Sequence, residues 1–384
     1  MKNCLIFFFL LNFLFSVRSQ EICFTQANPD NLLSYNDNDY LLPNFGTLNF
    51  CVKIYIHVIR RYDGSGGQSV ANVNTAIGFL NMDFNPHGIY FNWDGSIDYI
   101  NTKDYSNASE NIFSINNHSD GVDIYLFGDD SGGIYGWGNG GGFANGIGAQ
   151  GSSFFVTGYF IDNVSLIYPL CRSHVISHEM GHVLNLFHTH HGTVFETGDT
   201  NQCPELVNSS NSLICGDYVA DTHADPNMGY NVDLVTCKWL SSGFDANGDA
   251  YIPDELNTMS YSQPKCMSYI TPLQAQRTKK SLFLVPHLQN ISTYSTSEYP
   301  CQRIVKPLVF YPNPAKNNIT LDLRDRDPIE YNYKIYNNQG ILLQSGTTSN
   351  VLRIIDTSAL QNGDYYLHFY EDSVPIIKRI IINH

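Results

Sequence analysis

A chain of 384 residues is long enough for two or three domains, and 43% hydrophobic against 15% charged residues marks it as folded rather than disordered. Its 21 basic and 36 acidic residues give a formal net charge of −15. That excess leaves no basic stripe for phosphates and argues against a nucleic-acid partner.

Lys2 is followed by an apolar run from Leu5 to Phe15, broken only by Asn12, with the small residues Val17 and Ser19 after it. This pattern predicts a signal peptide over residues 1–19, cleaved after Ser19. The run is too short to span a bilayer and no later segment is longer, so no transmembrane span is expected. Removing the peptide takes Cys4 and leaves eight cysteines, at positions 23, 51, 171, 203, 215, 237, 266 and 301. An even number in an exported chain predicts disulfides, and the absence of any CxxC pair argues against a cysteine zinc ribbon.

Residues 20–47 are polar and without periodicity, and read as a short pro-segment or N-terminal arm. Alternation predicts a strand at Val52–Ile59, helical spacing of Val73, Ile77, Leu80 and Phe84 predicts a helix, and further strands are expected at 89–93 and 122–127. Strand, helix, strand and strand in this order indicate an α/β layer. Ten glycines within 132–151 predict an irregular loop leading into a strand at 152–157. No Gly-Lys-Ser/Thr follows them, so a phosphate cradle is not indicated. A helix is expected near 172–185 and another over 272–283, separated by about seventy residues of low periodicity holding four of the cysteines. After a Ser/Thr-rich stretch near 291–300, short alternating strands at 319–323, 331–336, 351–355, 365–370 and 376–382 predict a small all-β sandwich.

The chemistry lies in Ser177-His178-Glu179-Met180-Gly181-His182-Val183-Leu184-Asn185-Leu186-Phe187-His188. On a helix His178 and His182 share one face about 6 Å apart, so both imidazoles can bind one zinc ion (Zn2+) at about 2.0–2.1 Å. Glu179 then points toward the open coordination position, as a general base for water activated there. If the helix continued, His188 would lie about 15 Å along the axis from His178. The chain must therefore break near 185, most simply through one left-handed residue, for which Asn is the best choice after glycine. His190 and His191 compete with His188 but read as loop residues, and His174 and His223 as structural or solvent-facing.

This stretch resembles the long zinc motif of the metzincin metallopeptidases, with Asn185 where that family usually has Gly. Asn257-Thr258-Met259-Ser260-Tyr261 resembles its methionine turn. Within the metzincins the chain is most similar to the pappalysin and cytophagalysin branch. That likeness rests on Val-Lys-Ile-Tyr-Ile-His at 52–57, on Gly216-Asp217-Tyr-Val-Ala-Asp221-Thr222 and on Cys266, seven residues after Met259. His223 stands where family members usually have Pro. The resemblance covers about residues 50–285. It implies an α/β (α+β) metzincin-like catalytic domain with a twisted mixed sheet and an active-site helix. It implies that Met259 forms an apolar floor without ligating zinc and that Tyr261 steadies the oxyanion. It implies disulfides Cys203–Cys237 and Cys215–Cys266, with Cys23, Cys51, Cys171 and Cys301 unassigned. An alternative for Cys23 is a latency switch that caps the zinc.

Asp245-Ala-Asn247-Gly-Asp249 alternates carboxylate and amide oxygens as calcium loops do, so calcium (Ca2+) and a simple polar turn compete there. The C-terminal Phe310-Tyr311-Pro312-Asn313-Pro314-Ala315, with Gly340, Gly363-Asp364-Tyr365 and Lys378-Arg379, resembles the type A sorting domain of the bacterial type IX secretion system. It implies a Bacteroidetes-like host and the secretion machinery as partner. The expected organisation is a signal peptide over 1–19, an arm over 20–47, a zinc peptidase unit over 48–290, a linker over 291–305 and a sorting sandwich over 306–384. The function expected is a secreted zinc endopeptidase acting on extracellular proteins. A rival is a non-catalytic, zinc-stabilised secreted adhesin, which would need the histidines but not Glu179.

Overall fold

The computed structural model describes residues 23, 25, 45–131, 140–148, 151–161, 167–193, 203–296, 301, 308–324, 330–348, 352–370 and 375–384. The expected signal peptide, and the arm apart from residues 23, 25 and 45–47, lie outside the described residues.

Among the described residues a mixed sheet of seven strands is organised around β1 (Asn49–Arg61). Its even residues Phe50, Val52, Ile54, Ile56 and Val58 enter one core and Ile59 enters another, so β1 is covered on both faces, as the apolar alternation demands. Helix α1 (Val70–Phe84) follows, its first turn capped by the Ser69 side chain, which accepts from Asn72 N, and buries Val73, Ala76, Leu80 and Phe84. Strands β2 (Ile89–Asn92) and β3 (Ile97–Thr102) run parallel to the early and late halves of β1. β4 (Val122–Leu126) is also parallel to β1, β5 (Gly142–Ala144) forms the edge, and β6 (Ser153–Val156) lies between them, parallel to β4 and antiparallel to β5. A hairpin of β7 (Tyr159–Ile161) and β8 (Ile167–Pro169) leads to α2 (Val175–Val183), which buries Val175, Ile176, Met180 and Val183 in the core of the even β1 residues.

The long stretch after α2 carries little regular structure until α3 (Pro272–Leu284). Thr271 and Gln274 form a capping box there, Pro272 opens the helix, and the Asp221 carboxylate accepts from Leu273 N at 2.9 Å. Short α4 (Pro286–Asn290) delivers β9 (Ser292–Ser295) antiparallel to the start of β1. Residues 292–295, expected in a linker, thus belong to the first sheet, and Cys301 is bonded to Cys51 of β1. The Ser/Thr-rich composition concealed this strand because its stability comes from backbone pairing with a distant partner.

The C-terminal strands form two antiparallel sheets around one core of Ile319, Leu321, Ile335, Leu367, Phe369 and Ile380. One contains β10 (Val309–Tyr311), β11 (Asn318–Asp322) and β14 (Leu352–Asp356). The other contains β12 (Tyr331–Asn337), β13 (Leu342–Thr348), β15 (Gly363–Tyr370) and β16 (Pro375–Ile382).

Candidate metal centre

The turn required by the sequence is present. Helix α2 stops at Val183, and Asn185 takes φ 75°. Leu186 N donates to Gly181 O at 2.8 Å and Asn185 N to His182 O at 2.9 Å, the paired bonds of a Schellman ending. Asn185 is anchored by Nδ2 donating to Ser281 Oγ (2.9 Å) and by its carbonyl accepting from Arg277 Nε (2.8 Å), both from α3. The chain therefore doubles back and places His188 beside the two helical histidines.

His182 Nε2 lies 3.2 Å from His178 Nε2 and 3.0 Å from His188 Nε2, and Cys23 Sγ lies 3.4 Å from His182 Nε2. Nitrogen ligands at about 2.0–2.1 Å from one tetrahedral ion sit about 3.3 Å apart, and a thiolate at about 2.3 Å sits about 3.6 Å from them. The three distances from His182 Nε2 are close to those of such a cage, and all four atoms lie within 4.8 Å of one another. Behind the rings, His178 Nδ1 meets Thr258 O at 2.7 Å and His182 Nδ1 meets Leu186 O at 2.8 Å. Each carbonyl requires an Nδ1–H, which leaves the Nε2 lone pair facing inward. Burial pushes the His178 pKa down to about 4 and His188 well below the ordinary value, so these imidazoles are neutral at pH 7. Inward-facing lone pairs on buried neutral rings call for a cation, and the donor set of three imidazoles and a thiol suits zinc.

Glu179 is buried beside this cage, and burial pushes its pKa up to about 8, against the opposing hydrogen bonds from Cys23 and Thr25. Thr25 Oγ1 donates to Glu179 Oε2 at 3.1 Å and accepts from Ala144 N at 2.8 Å. Edge strand β5 passes so close that a side chain at Gly142 would collide with the Glu179 carboxylate. Met259 is buried against α2, where a methyl group on Gly181 would collide with its thioether. Tyr261 packs its ring edge-on to His188, centroids 4.7 Å apart, and its hydroxyl donates to Cys23 O at 2.7 Å. His190 and His191 lie in the turn after His188 and are buried there, and the His190 ring stacks on His188 and contacts Tyr261. The chain turns back toward the site after His188, through Thr189 N bonded to Met259 O, and local periodicity carries no trace of this.

The disulfides differ from the expected pairs. Cys203 is bonded to Cys215 and Cys237 to Cys266, with Cys51 to Cys301, while Cys23 and Cys171 are free and buried. Gly216 N donates to Cys203 O, which lays residue 203 alongside 215, and Cys266 packs with Met228, Val232, Cys237 and Trp239. In the 245–249 loop Asp245 Oδ1 accepts from the backbone of Asn247 and Asp249, and Oδ2 accepts from Val207 N, the geometry of a polar turn. The under-compensated carboxylates of this region lie elsewhere. Burial pushes Glu205 up to about 7, and burial with the neighbouring Glu205 charge pushes Asp217 up to about 8. Asp217 Oδ2 has no donor among the described residues.

Residues 309–383 match the family described as a secretion system C-terminal sorting domain. No curated protein matches the chain. The C-terminal unit is thus a type IX sorting tail, which implies export through that machinery in a Bacteroidetes-like bacterium. No helix among the described residues is long and apolar enough to cross a membrane.

Proposed function

We propose that the chain is a secreted zinc endopeptidase of metzincin type, captured with its N-terminal arm across the active site. The observation that carries this reading is the convergence of three imidazole Nε2 atoms, within 3.2 Å of one another along His178–His182–His188, beside a buried carboxylate. Zinc held by His178, His182 and His188 would polarise a scissile carbonyl and activate water. Glu179 accepts the proton from water and returns it to the leaving amine. Tyr261 already reaches a backbone carbonyl in the cleft, that of Cys23, and the same O–H would steady a substrate oxyanion. Strand β5 offers its edge to extended peptide: Cys23 bridges Gly142, and Ala144 N is held by Thr25. In this form Cys23 fills the fourth ligand position and Thr25 engages Glu179, so the arm acts as a latency segment.

The test uses the chain freed of its arm. Glu179→Ala should retain zinc and lose at least about a hundredfold in casein cleavage, the contribution of a general base. Wild-type cleavage by a zinc-loaded Glu179→Ala protein would refute the mechanism.

A further inference from the structure

A second cluster of ligand-type side chains lies on the face of the first sheet turned away from α2. His57 of β1, wholly buried, stands directly beside Asp98 of β3 and diagonally from buried Asp123 of β4. His57 Nε2 is 2.8 Å from Asp123 Oδ1, and His57 Nδ1 is 2.9 Å from Asp98 Oδ2. His118, on the loop before β4, brings its Nδ1 to the same Asp123 oxygen at 2.6 Å, and its ring stacks on Tyr55 with centroids 3.5 Å apart. The other oxygen, Asp123 Oδ2, accepts from His118 N (2.9 Å) and Asn117 Nδ2 (3.1 Å). Asn116 Nδ2 donates to Asp98 Oδ2 at 2.7 Å, so the loop grips both carboxylates.

Two imidazole nitrogens thus converge on one carboxylate oxygen, while a second carboxylate backs the buried imidazole. Two acceptors cannot face each other without positive charge between them. Either His57 carries protons on both nitrogens, or a cation sits where His57 Nε2, His118 Nδ1 and Asp123 Oδ1 meet. Both satisfy every group, and the second also accounts for three ligand atoms from separate segments meeting at one point. Asp98 takes the Nδ1–H of His57 and fixes its tautomer, Asn117 and the backbone orient Asp123, and Tyr55 orients His118, the outer-shell pattern of a histidine metal site. Two imidazoles and a carboxylate form a donor set for a divalent transition ion. The geometry points to a second zinc-class site at His57, His118 and Asp123, structural in role, pinning the 115–121 loop to β1 and β4. Ligands of one tetrahedral ion stand about 3.3 Å apart, so on loading the His57–Asp123 contact must open by roughly 0.5 Å and His118 must withdraw by roughly 0.7 Å. Its ring is 37% exposed and carried by a loop, which gives it room to move.

The site is independent of the peptidase reading, and the experiment separates the two. The full chain is stripped with chelator, reloaded with zinc, desalted, and its metal counted by plasma mass spectrometry. The wild type should hold about two ions per chain, His118→Ala and His182→Ala about one each, and the double variant none. Zinc should raise the melting temperature of His182→Ala and leave that of the double variant unmoved. His118→Gln, which keeps a planar group against Tyr55, replaces His118→Ala if the latter aggregates. A His118 variant that keeps the wild-type zinc count, or a His182→Ala chain that binds none, overturns the proposal. A chain freed of its arm that binds two ions yet leaves casein uncut would defeat the peptidase reading alone.

Discussion

The left-handed residue at 185 allows a quantitative test of how the cage is assembled. In Asn185→Ala a β-carbon without a local hydrogen-bonding group must hold φ 75°, at a cost of roughly 1–2 kcal/mol. The bond from Asn185 Nδ2 to Ser281 Oγ is lost as well, for about 1 kcal/mol more. Asn185→Gly loses that bond but suffers no left-handed strain. The alanine variant should therefore be about 2–3 kcal/mol less stable than wild type and the glycine variant about 1 kcal/mol less. At roughly 2–4 °C per kcal/mol for a unit of this size, calorimetry of the zinc-free chain should show glycine well above alanine. The same turn sets His188 against His182, so zinc affinity should fall roughly tenfold further in alanine than in glycine. Equal melting temperatures for the two variants would mean that the turn does not hold the positive φ, and the route by which His188 reaches the cage would be wrong.

Three further outcomes follow from the geometry. Cys23→Ala removes the thiol that lies 3.4 Å from His182 Nε2, so the full chain should cleave casein faster than wild type before any trimming; unchanged latency would place inhibition elsewhere. Glu205 and Asp217 have folded pKa values raised to about 7 and about 8, so the native state binds more protons than the unfolded chain. Their contribution is fully favourable below about pH 4 and is lost as pH rises through 7–8, so melting temperature should fall across that window and Glu205→Gln should flatten the fall. Deleting residues 306–384 should leave the protein inside a type IX-competent host, read by comparing culture supernatant with cells, and secretion at the normal level would remove the sorting assignment.

What was legible in the sequence is what local chemistry dictates. The i, i+4 histidines, the glutamate between them and the break at Asn185 belong to one helix and its ending, and a twelve-residue stretch contains the spacing that reveals them. The placing of Met259 and Tyr261 near these histidines was expected only by resemblance. Strand β9 was not, since Ser292-Thr-Tyr-Ser has no apolar alternation and is held by pairing with β1 across more than two hundred residues. The disulfide pairs were misassigned for a related reason: the contact between Cys203 and Cys215 depends on a backbone bond at Gly216 that no spacing encodes. Thr25 and the Asp98–His57–Asp123–His118 cluster were missed because each is assembled from separate segments by the sheet register.

The turn at residues 257–261 also acts through more than the Met259 side chain. Thr258 O holds the outer nitrogen of His178, and Met259 O accepts from Thr189 N at 3.1 Å, so one dipeptide fixes the ring of the first ligand and the backbone just past the third. Asn257 ties that dipeptide to α3, donating from Nδ2 to Gln274 Oε1 at 2.9 Å, and α3 in turn holds Asn185 through Ser281 and Arg277. The supports of His178, of the turn at Asn185 and of the segment after His188 therefore meet on one buried helix. A ligand cage must be rigid to within a few tenths of an ångström to hold its metal, and helix α2 ends before the third ligand. α3 and the turn above it supply the rigidity that α2 cannot, which accounts for Gln274, Arg277 and Ser281, polar and wholly or almost wholly buried, lying so close to the site without touching it.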